Sequence, residues 1–86
     1  MKISVELTLA PLKNNYVLTI KSFIKKLRKL GFIINETPLS TQIFGEYDQI
    51  MNMIIPMIRK TFEEEDAVML NIKMIKGDRS QYEPDF

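Results

Sequence analysis

The sequence predicts one α+β domain whose elements follow the order strand, helix, strand, strand, helix, strand. Residues 2–9 and 68–75 alternate apolar and polar side chains, which is the period of a half-buried strand. Residues 16–30 and 50–62 repeat apolar side chains at spacings of three and four, as an amphipathic helix does. Two short apolar runs that flank Pro38 complete the pattern. With 86 residues, the chain forms one domain at most.

The first half of the chain contains a strand, a helix and a second strand. Pro11 ends the first strand, because proline cannot donate to a sheet ladder. Asn14 or Asn15 can cap a helix that starts near Tyr16, and Gly31 suits the left-handed position just past its end. The apolar stripe of this helix comprises Tyr16, Ile20, Phe23, Leu27 and Leu30.

The second half begins with two short strands, residues 32–36 and 40–44, which we expect to pair in antiparallel fashion across a turn at residues 37–39. Gly45 is expected to take a backbone angle that other residues resist. A second helix follows, and Pro56 within it predicts a kink or a helix in two pieces, since proline removes a backbone hydrogen bond. The apolar stripe of this helix comprises Ile50, Met51, Ile54, Ile58 and Phe62.

The compact arrangement of these elements is the ferredoxin-like fold, a two-layer α/β sandwich. Four antiparallel strands carry two helices on one face, with the first and third strands in the centre. We expect this domain to span residues 1–76 and an irregular C-terminal tail to span residues 77–86. The residues expected beneath the helices are Ile3, Val5, Leu7, Leu9, Phe32, Ile34, Val68, Leu70, Ile72 and Met74.

The other sheet face, here called the open face, is predicted to be free of helices and to mix polar with apolar groups. Such a face suits a wet subunit interface or a shallow polar ligand site. The register of the third strand stays open, because the pattern alone does not orient it. The predicted members are Ser4, Glu6, Thr8, Ile33, Asn35, Met69, Asn71, Lys73 and Ile75, with either Ser40, Gln42 and Phe44 or Thr41 and Ile43.

Charge and composition exclude several classes of function. Twelve basic and eleven acidic residues give a net charge of +1, so no nucleic-acid partner and no anionic membrane partner is expected. The absence of Cys and His removes disulfides, the thiol nucleophile, the commonest general base and most zinc, copper and haem sites. We therefore expect no cofactor and no metal. The N-terminal segment lacks the apolar core of a signal peptide, which favours the cytoplasm.

Two charged segments allow a binding and a structural interpretation. The basic side of the first helix could form a stripe for phosphate or RNA, but no aromatic residue is interleaved, so a solvated helix face is favoured. The acidic run at residues 63–66 could bind magnesium or calcium, but it lacks the spacing of a calcium loop. A solvated loop is the favoured interpretation of that run.

The candidate chemical groups indicate binding rather than catalysis. Ser40 and Thr41 have no histidine to activate them as nucleophiles. Glu6 and Lys73 could meet across neighbouring strands, but an ordinary ion pair explains that equally well. A neutral or cationic heteroaromatic ligand fits this inventory, with Glu6 on an amino group, hydroxyls on ring nitrogens, and Tyr16 or Phe44 stacked on the ring. The alternative is a structural oligomer without a specific small ligand.

Two motifs add a family resemblance. Residues 4–12, SVELTLAPL, form a strand with a glutamate that ends in proline and an apolar residue. Residues 39–46, LSTQIFGE, lead from a small residue and a threonine through a strand to a Gly-Glu turn and a helix. Together, over residues 2–75, they resemble the small thiamine-binding proteins of the YkoF type, many of which are uncharacterised. Members of that family commonly continue into a C-terminal helix, whereas the tail here is short and contains Pro84.

The resemblance implies a ferredoxin-like fold and non-catalytic binding of thiamine or its hydroxymethylpyrimidine moiety. It also implies self-association to a homodimer or a homotetramer. Glu6, Ser40 and Thr41 occupy the motif positions, whereas Asn15 and Tyr16 rest on ligand chemistry alone. The predicted ligand-binding residues are Glu6, Thr8, Asn15, Tyr16, Ser40 and Thr41.

Overall fold

The computed structural model describes residues Met1 to Phe86 and contains the six predicted elements in the predicted order. The four strands form one antiparallel sheet in the order β2-β3-β1-β4, so β1 and β3 are central. The predicted ferredoxin-like α+β class is confirmed. The elements are β1 (Lys2–Pro11), α1 (Tyr16–Lys29), β2 (Ile33–Glu36), β3 (Thr41–Glu46), α2 (Tyr47–Glu64) and β4 (Val68–Lys76).

The hydrophobic core lies between the two helices and the face of the sheet that they cover. Only 14 of the 86 residues are buried, and partly buried apolar side chains pack around this small core. Each Leu, Ile, Val or Phe side chain that is fully buried contributes about 1.5 to 3 kcal/mol. The core cluster consists of Ile3, Val5, Leu7, Leu9, Phe23, Leu27, Ile43, Ile50 and Ile54.

The second helix is continuous across its proline. The prediction of a helix in two pieces is therefore wrong. Pro56 lies on the exposed side of α2, where water can bind the carbonyl that loses its intrahelical partner. The apolar stripe also differs at its end, because Thr61 is buried while Phe62 is 48% exposed. The Thr61 hydroxyl donates to the Met57 carbonyl at 3.0 Å. Neither helix has the length and hydropathy needed to cross a membrane.

The turn from β3 into α2 depends on Gly45 for a different reason than predicted. Gly45 does not have a positive φ, so the expectation of an unusual backbone angle is wrong. Instead, a Cβ atom there would lie 3.1 Å from the Phe32 ring and 3.4 Å from Ile50 Cδ1. Gly31, after α1, does take the predicted left-handed angle, with φ of 84°. Helix α2 begins directly after β3 because the Glu46 carboxylate accepts the Gln49 backbone N–H at 3.1 Å.

The strand register decides which residues of β3 share the open face. Glu6 is paired with Gln42, and Leu7 with Thr41. Because Leu7 belongs to the core, Thr41 lies on the helix side. The open face therefore carries Ser40, Gln42 and Phe44, which is the first of the two registers considered above.

The edge strand β4 is less covered than the sequence pattern predicts. Ile72 and Met74 are paired with Leu7 and Val5, so they lie on the helix side of the sheet. They are nevertheless 45% and 49% exposed. The expectation that they are buried beneath the helices is wrong, since α1 packs mainly on β1 and α2 mainly on β3.

Candidate functional site

The open face and the C-terminal tail together form a concave site, here called the open-face pocket. Its volume of 710 Å³ is in the range of small-molecule sites. Strands β1, β3 and β4 supply its floor, and the tail supplies one rim. The charged, amide and aromatic side chains that line it are Glu6, Gln42, Phe44, Lys73, Arg79 and Tyr82.

The carboxylate of Glu6 lies at the centre of a polar cluster in this pocket. Its Oε2 accepts the Ser40 hydroxyl at 2.9 Å and the Gln42 amide at 3.5 Å. Its Oε1 lies 3.9 Å from the Lys73 ammonium, whose side chain is 86% exposed. The register creates this arrangement by pairing Glu6 with Gln42 on one side and with Lys73 on the other. An ion pair this long and exposed contributes little stability, so a ligand cation can displace Lys73.

The rim of the pocket is held in place by a buried hydroxyl. Ser4 is 7% exposed although it lies on the open face. Its hydroxyl donates to the Gly77 carbonyl at 2.9 Å and accepts the Arg79 backbone N–H at 2.9 Å. The Tyr82 N–H then donates to the Arg79 carbonyl at 3.2 Å. These bonds turn the chain back over the sheet and place the tail beside the pocket.

The two aromatic side chains of the pocket differ in exposure. Phe44 is 6% exposed and forms part of the floor, whereas Tyr82 is 68% exposed and stands at the rim. Arg79 and Tyr82 were not predicted from the sequence as members of the site. Gly77 after the last strand is a sequence signal for a chain reversal, and it has a φ of 104°, but it does not predict where the following side chains lie.

The structure brings together only part of the predicted ligand-binding set. Glu6 and Ser40 are in direct contact. Thr8 lies on the open face as well, but its hydroxyl donates to the Leu39 carbonyl at 3.4 Å, at the hairpin end of the sheet. Thr41 is 4% exposed on the helix side, because successive strand residues point to opposite faces. Ser40 and Thr41 therefore do not face one ligand on the open face together.

The other two predicted ligand residues lie at the start of α1. Helix α1 packs on β1 from the covered side of the sheet, away from the open-face pocket. Asn15 occupies the N-cap position without a side-chain capping bond, and Tyr16 is 49% exposed. Neither residue lines the pocket.

Both charged segments considered in the sequence form ion pairs at the surface, and one pair, Lys26 with Glu64, joins the two. Arg28 binds the Glu36 carboxylate through two guanidinium N–H groups, and this contact lowers the pKa of Glu36. Lys26 lies 3.8 Å from Glu64, and Glu65 lies 2.7 Å from Lys13. No cluster of three or more acidic side chains could hold a metal ion. These contacts agree with the interpretation of both segments as solvated surface.

Comparison with known proteins finds solved structures that share this fold. The chain matches no protein-family model and no curated protein. Among solved structures, a Streptococcus pneumoniae protein whose name states no function has 28% identity and a TM-score of 0.81, over 91% of this chain and 89% of that one.

Two further structures share the fold at lower identity. A "putative thiamine biosynthesis/salvage protein" of Thermotoga maritima has 20% identity and a TM-score of 0.78, over 90% of this chain and 85% of that one. A domain of unknown function, DUF77, of Bacillus cereus has 15% identity and a TM-score of 0.70, over 90% and 77%. The resemblance to a group of small, mostly uncharacterised proteins that includes a thiamine-related member is confirmed at the level of the fold.

Proposed function

We propose that the protein is a cytoplasmic, non-catalytic binder of thiamine or its hydroxymethylpyrimidine moiety and that it acts as a homodimer or a homotetramer. The observation that carries this proposal is the Glu6 carboxylate, held by Ser40 and Gln42 on the floor of the open-face pocket. The choice of ligand is supported by the fold shared with the Thermotoga maritima protein.

The proposed contacts follow from the chemistry of an aminopyrimidine with a cationic substituent. The exocyclic amine donates to Glu6, and the Gln42 amide donates to a ring nitrogen or accepts from the amine. The exposed ring of Tyr82 stacks on the heterocycle or on its cation. Since Lys73 is 3.9 Å from Glu6 and largely exposed, it can yield its place to the ligand cation.

Binding without turnover is consistent with the groups at this position. The Ser40 hydroxyl donates to Glu6, and the chain contains neither histidine nor cysteine. A carboxylate surrounded by donors recognises a cation or an amine without needing to transfer a proton.

The alternative function is a structural or interaction oligomer without a specific small ligand, again with no nucleic acid and no membrane partner. It is favoured by exposed apolar side chains on the open face of the two edge strands. Ile33 is 60% exposed, Met69 is 51% exposed and Ile75 is 50% exposed. Apolar surface of this kind commonly marks a contact between protein chains.

The test of the ligand is calorimetry and thermal shift with thiamine and with hydroxymethylpyrimidine. We expect measurable heat and a raised melting temperature, because a ligand that binds only the folded state stabilises it. The Glu6→Gln variant should weaken binding by about ten- to a hundredfold, which corresponds to a hydrogen bond to a charged group. The matched control is Glu63→Gln, whose carboxylate pairs with Arg59 on α2.

A second pair of variants tests the adjacent residues Ser40 and Thr41 individually for a role in ligand binding. Ser40→Ala should weaken ligand binding, whereas Thr41→Val should leave it unchanged, because only Ser40 contacts Glu6. No heat and no thermal shift at millimolar thiamine or hydroxymethylpyrimidine would contradict the ligand. A stable dimer or tetramer by light scattering under those conditions would then support the alternative function.

A further inference from the structure

We infer that the open-face pocket takes a zwitterionic ligand, a phosphate monoester of the amine-bearing compound, with Arg79 and Lys73 on the phosphate. This inference rests on the proposed function and specifies the class of ligand within it. The pocket carries more positive than negative side chains. One carboxylate, Glu6, and two cations, Lys73 and Arg79, line the same concavity.

A ligand that carries only a cation binds Glu6 but leaves the other charges of the pocket unpaired. It would take Glu6 from Lys73 and leave two unpaired cations beside its own positive charge. A ligand with a cationic or amine end and an anionic end pairs every charge in the pocket. The amine binds Glu6, and Lys73 moves from Glu6 to the anion, so its ion pair is exchanged rather than lost.

Arg79 is the cation with free binding capacity. Its guanidinium makes one long hydrogen bond, from Nη2 to the Lys76 carbonyl at 3.5 Å, and it lies within 4.0 Å of no carboxylate. The nearest acid in sequence, Asp78, accepts the Ser80 N–H instead. The remaining guanidinium N–H groups have no acceptor within the protein. A planar array of N–H donors matches the geometry of phosphate oxygens.

The position of Arg79 at the rim is fixed by the fold. Its backbone N–H is held by the buried Ser4 hydroxyl, which also binds the Gly77 carbonyl. Its guanidinium lies over Gly77, so that a Cβ atom there would be 3.7 Å from Nε and 3.8 Å from Cζ. These are ordinary van der Waals distances, so glycine is favoured here by its φ of 104° and not by lack of space. Ser4 is a positioning residue for Arg79 and does not need to contact the ligand.

We assign the anionic end to phosphate because both proposed ligands carry a hydroxyl group that can form a phosphate monoester. The two cations are exposed, so the gain is modest. We expect the monoester of thiamine to bind about three- to tenfold more tightly than thiamine, as two exposed ion pairs allow. The gain should shrink as salt rises from 50 to 200 mM, since exposed charges are screened.

The experiment is calorimetry with thiamine, thiamine monophosphate and inorganic phosphate on the full chain. The quantity compared within each variant is the ratio of the two thiamine affinities. Arg79→Gln should reduce this ratio to about two- to threefold or less, because only the Lys73 pair remains, and Arg79→Lys should retain more of it. The matched control is Lys76→Gln, which removes a cation from the helix side of β4, and it should keep the full ratio.

The outcomes separate this inference from the proposed function. If thiamine binds through Glu6 and its monoester binds no more tightly, the inference is overturned and the proposed function stands. A ratio that survives Arg79→Gln, or inorganic phosphate that binds as tightly as the monoester, also overturns it. If neither thiamine compound binds, this inference fails, and the proposed function fails as well when hydroxymethylpyrimidine also gives no heat.

Discussion

The two faces of the sheet are built from the same strands but are stabilised in different ways. On the covered face, β1 contributes Ile3, Val5, Leu7 and Leu9 to a continuous apolar core. On the open face, the residues between them bind specific partners, such as Ser4 with the tail and Glu6 with Ser40. The covered face depends on the amount of buried apolar surface, which is non-directional. The open face depends on individual hydrogen bonds, each of which has a required geometry.

The open face is itself divided in two. At the end where the tail crosses it, Ser4 and Phe44 are 7% and 6% exposed although no helix covers them. Toward the hairpin, Thr8 and Gln42 stay partly accessible. The pocket lies where these two regions meet, so the tail determines which part of a polar sheet becomes a site.

The largest expected change in the free energy of unfolding comes from comparing substitutions at two adjacent residues on opposite faces of the sheet. Ile43→Ala should lower the free energy of unfolding by about 2 to 5 kcal/mol, because Ile43 is fully buried in the core. Gln42→Ala should change it by less than about 0.5 kcal/mol, since its side chain makes only long hydrogen bonds near the surface. Urea unfolding measures both variants. Similar losses for the two would refute the assignment of the faces.

Breaking the contact between Ser4 and the tail should lower the free energy of unfolding by an intermediate amount. Ser4→Ala removes a hydroxyl that satisfies both the Gly77 carbonyl and the Arg79 N–H, and should cost about 1 to 2 kcal/mol. It should also increase proteolytic cleavage within residues 77–82, because the rim of the pocket is released. Thr8→Ala is the control on the same strand face, with one long bond at 3.4 Å and an expected cost below about 0.5 kcal/mol. Equal protection of the tail in both variants would contradict the role of Ser4.

The smallest expected effect on stability is the pH dependence of the turn formed by Asp78 and Ser80 in the tail. The Ser80 hydroxyl, together with its backbone N–H, lowers the pKa of Asp78 below the ordinary value of 3.8. A carboxyl with a lowered pKa in the folded state stabilises the turn above its unfolded pKa, and this stability is lost as the pH falls through the folded pKa. Carbon-detected NMR titration should give a midpoint below 3.8 for Asp78. The Ser80→Ala variant should raise that midpoint, and an unchanged value would show that the Ser80 hydroxyl does not contribute to the shift.

Much of the fold could be predicted from local patterns. The alternation in β1 and β4 and the helical spacing at Phe23, Leu27, Ile50 and Ile54 identify the elements and most of the core. The order of elements then leaves few compact topologies. The errors occurred where a neighbour in space decided the outcome. Gly45 faces the Phe32 ring, and Met74 lies on the helix side of the sheet but remains 49% exposed.

The candidate site was less predictable than the fold. Glu6 and Ser40 could be named from their residue types and from the two motifs that contain them, whereas the face on which Ser40 lies was left open. Ser40 and Thr41 are adjacent in sequence, which suggested a joint role. In an extended chain, however, successive side chains point to opposite faces of the sheet. Arg79 and Tyr82 could not be assigned, because an irregular segment has no periodicity from which a direction can be inferred.

The sequence by itself determined the order of elements, the core stripe and the polar character of the open face, because these depend on local periodicity and residue type. The tertiary structure alone decided the register of β3 against β1 and the path of residues 77–82 over the sheet. Both depend on contacts between residues far apart in the chain, such as Ser4 with Arg79, and no local pattern encodes such pairings. The contact between Ser4 and Arg79 brings Arg79 to the rim of the pocket that Glu6 and Lys73 also line.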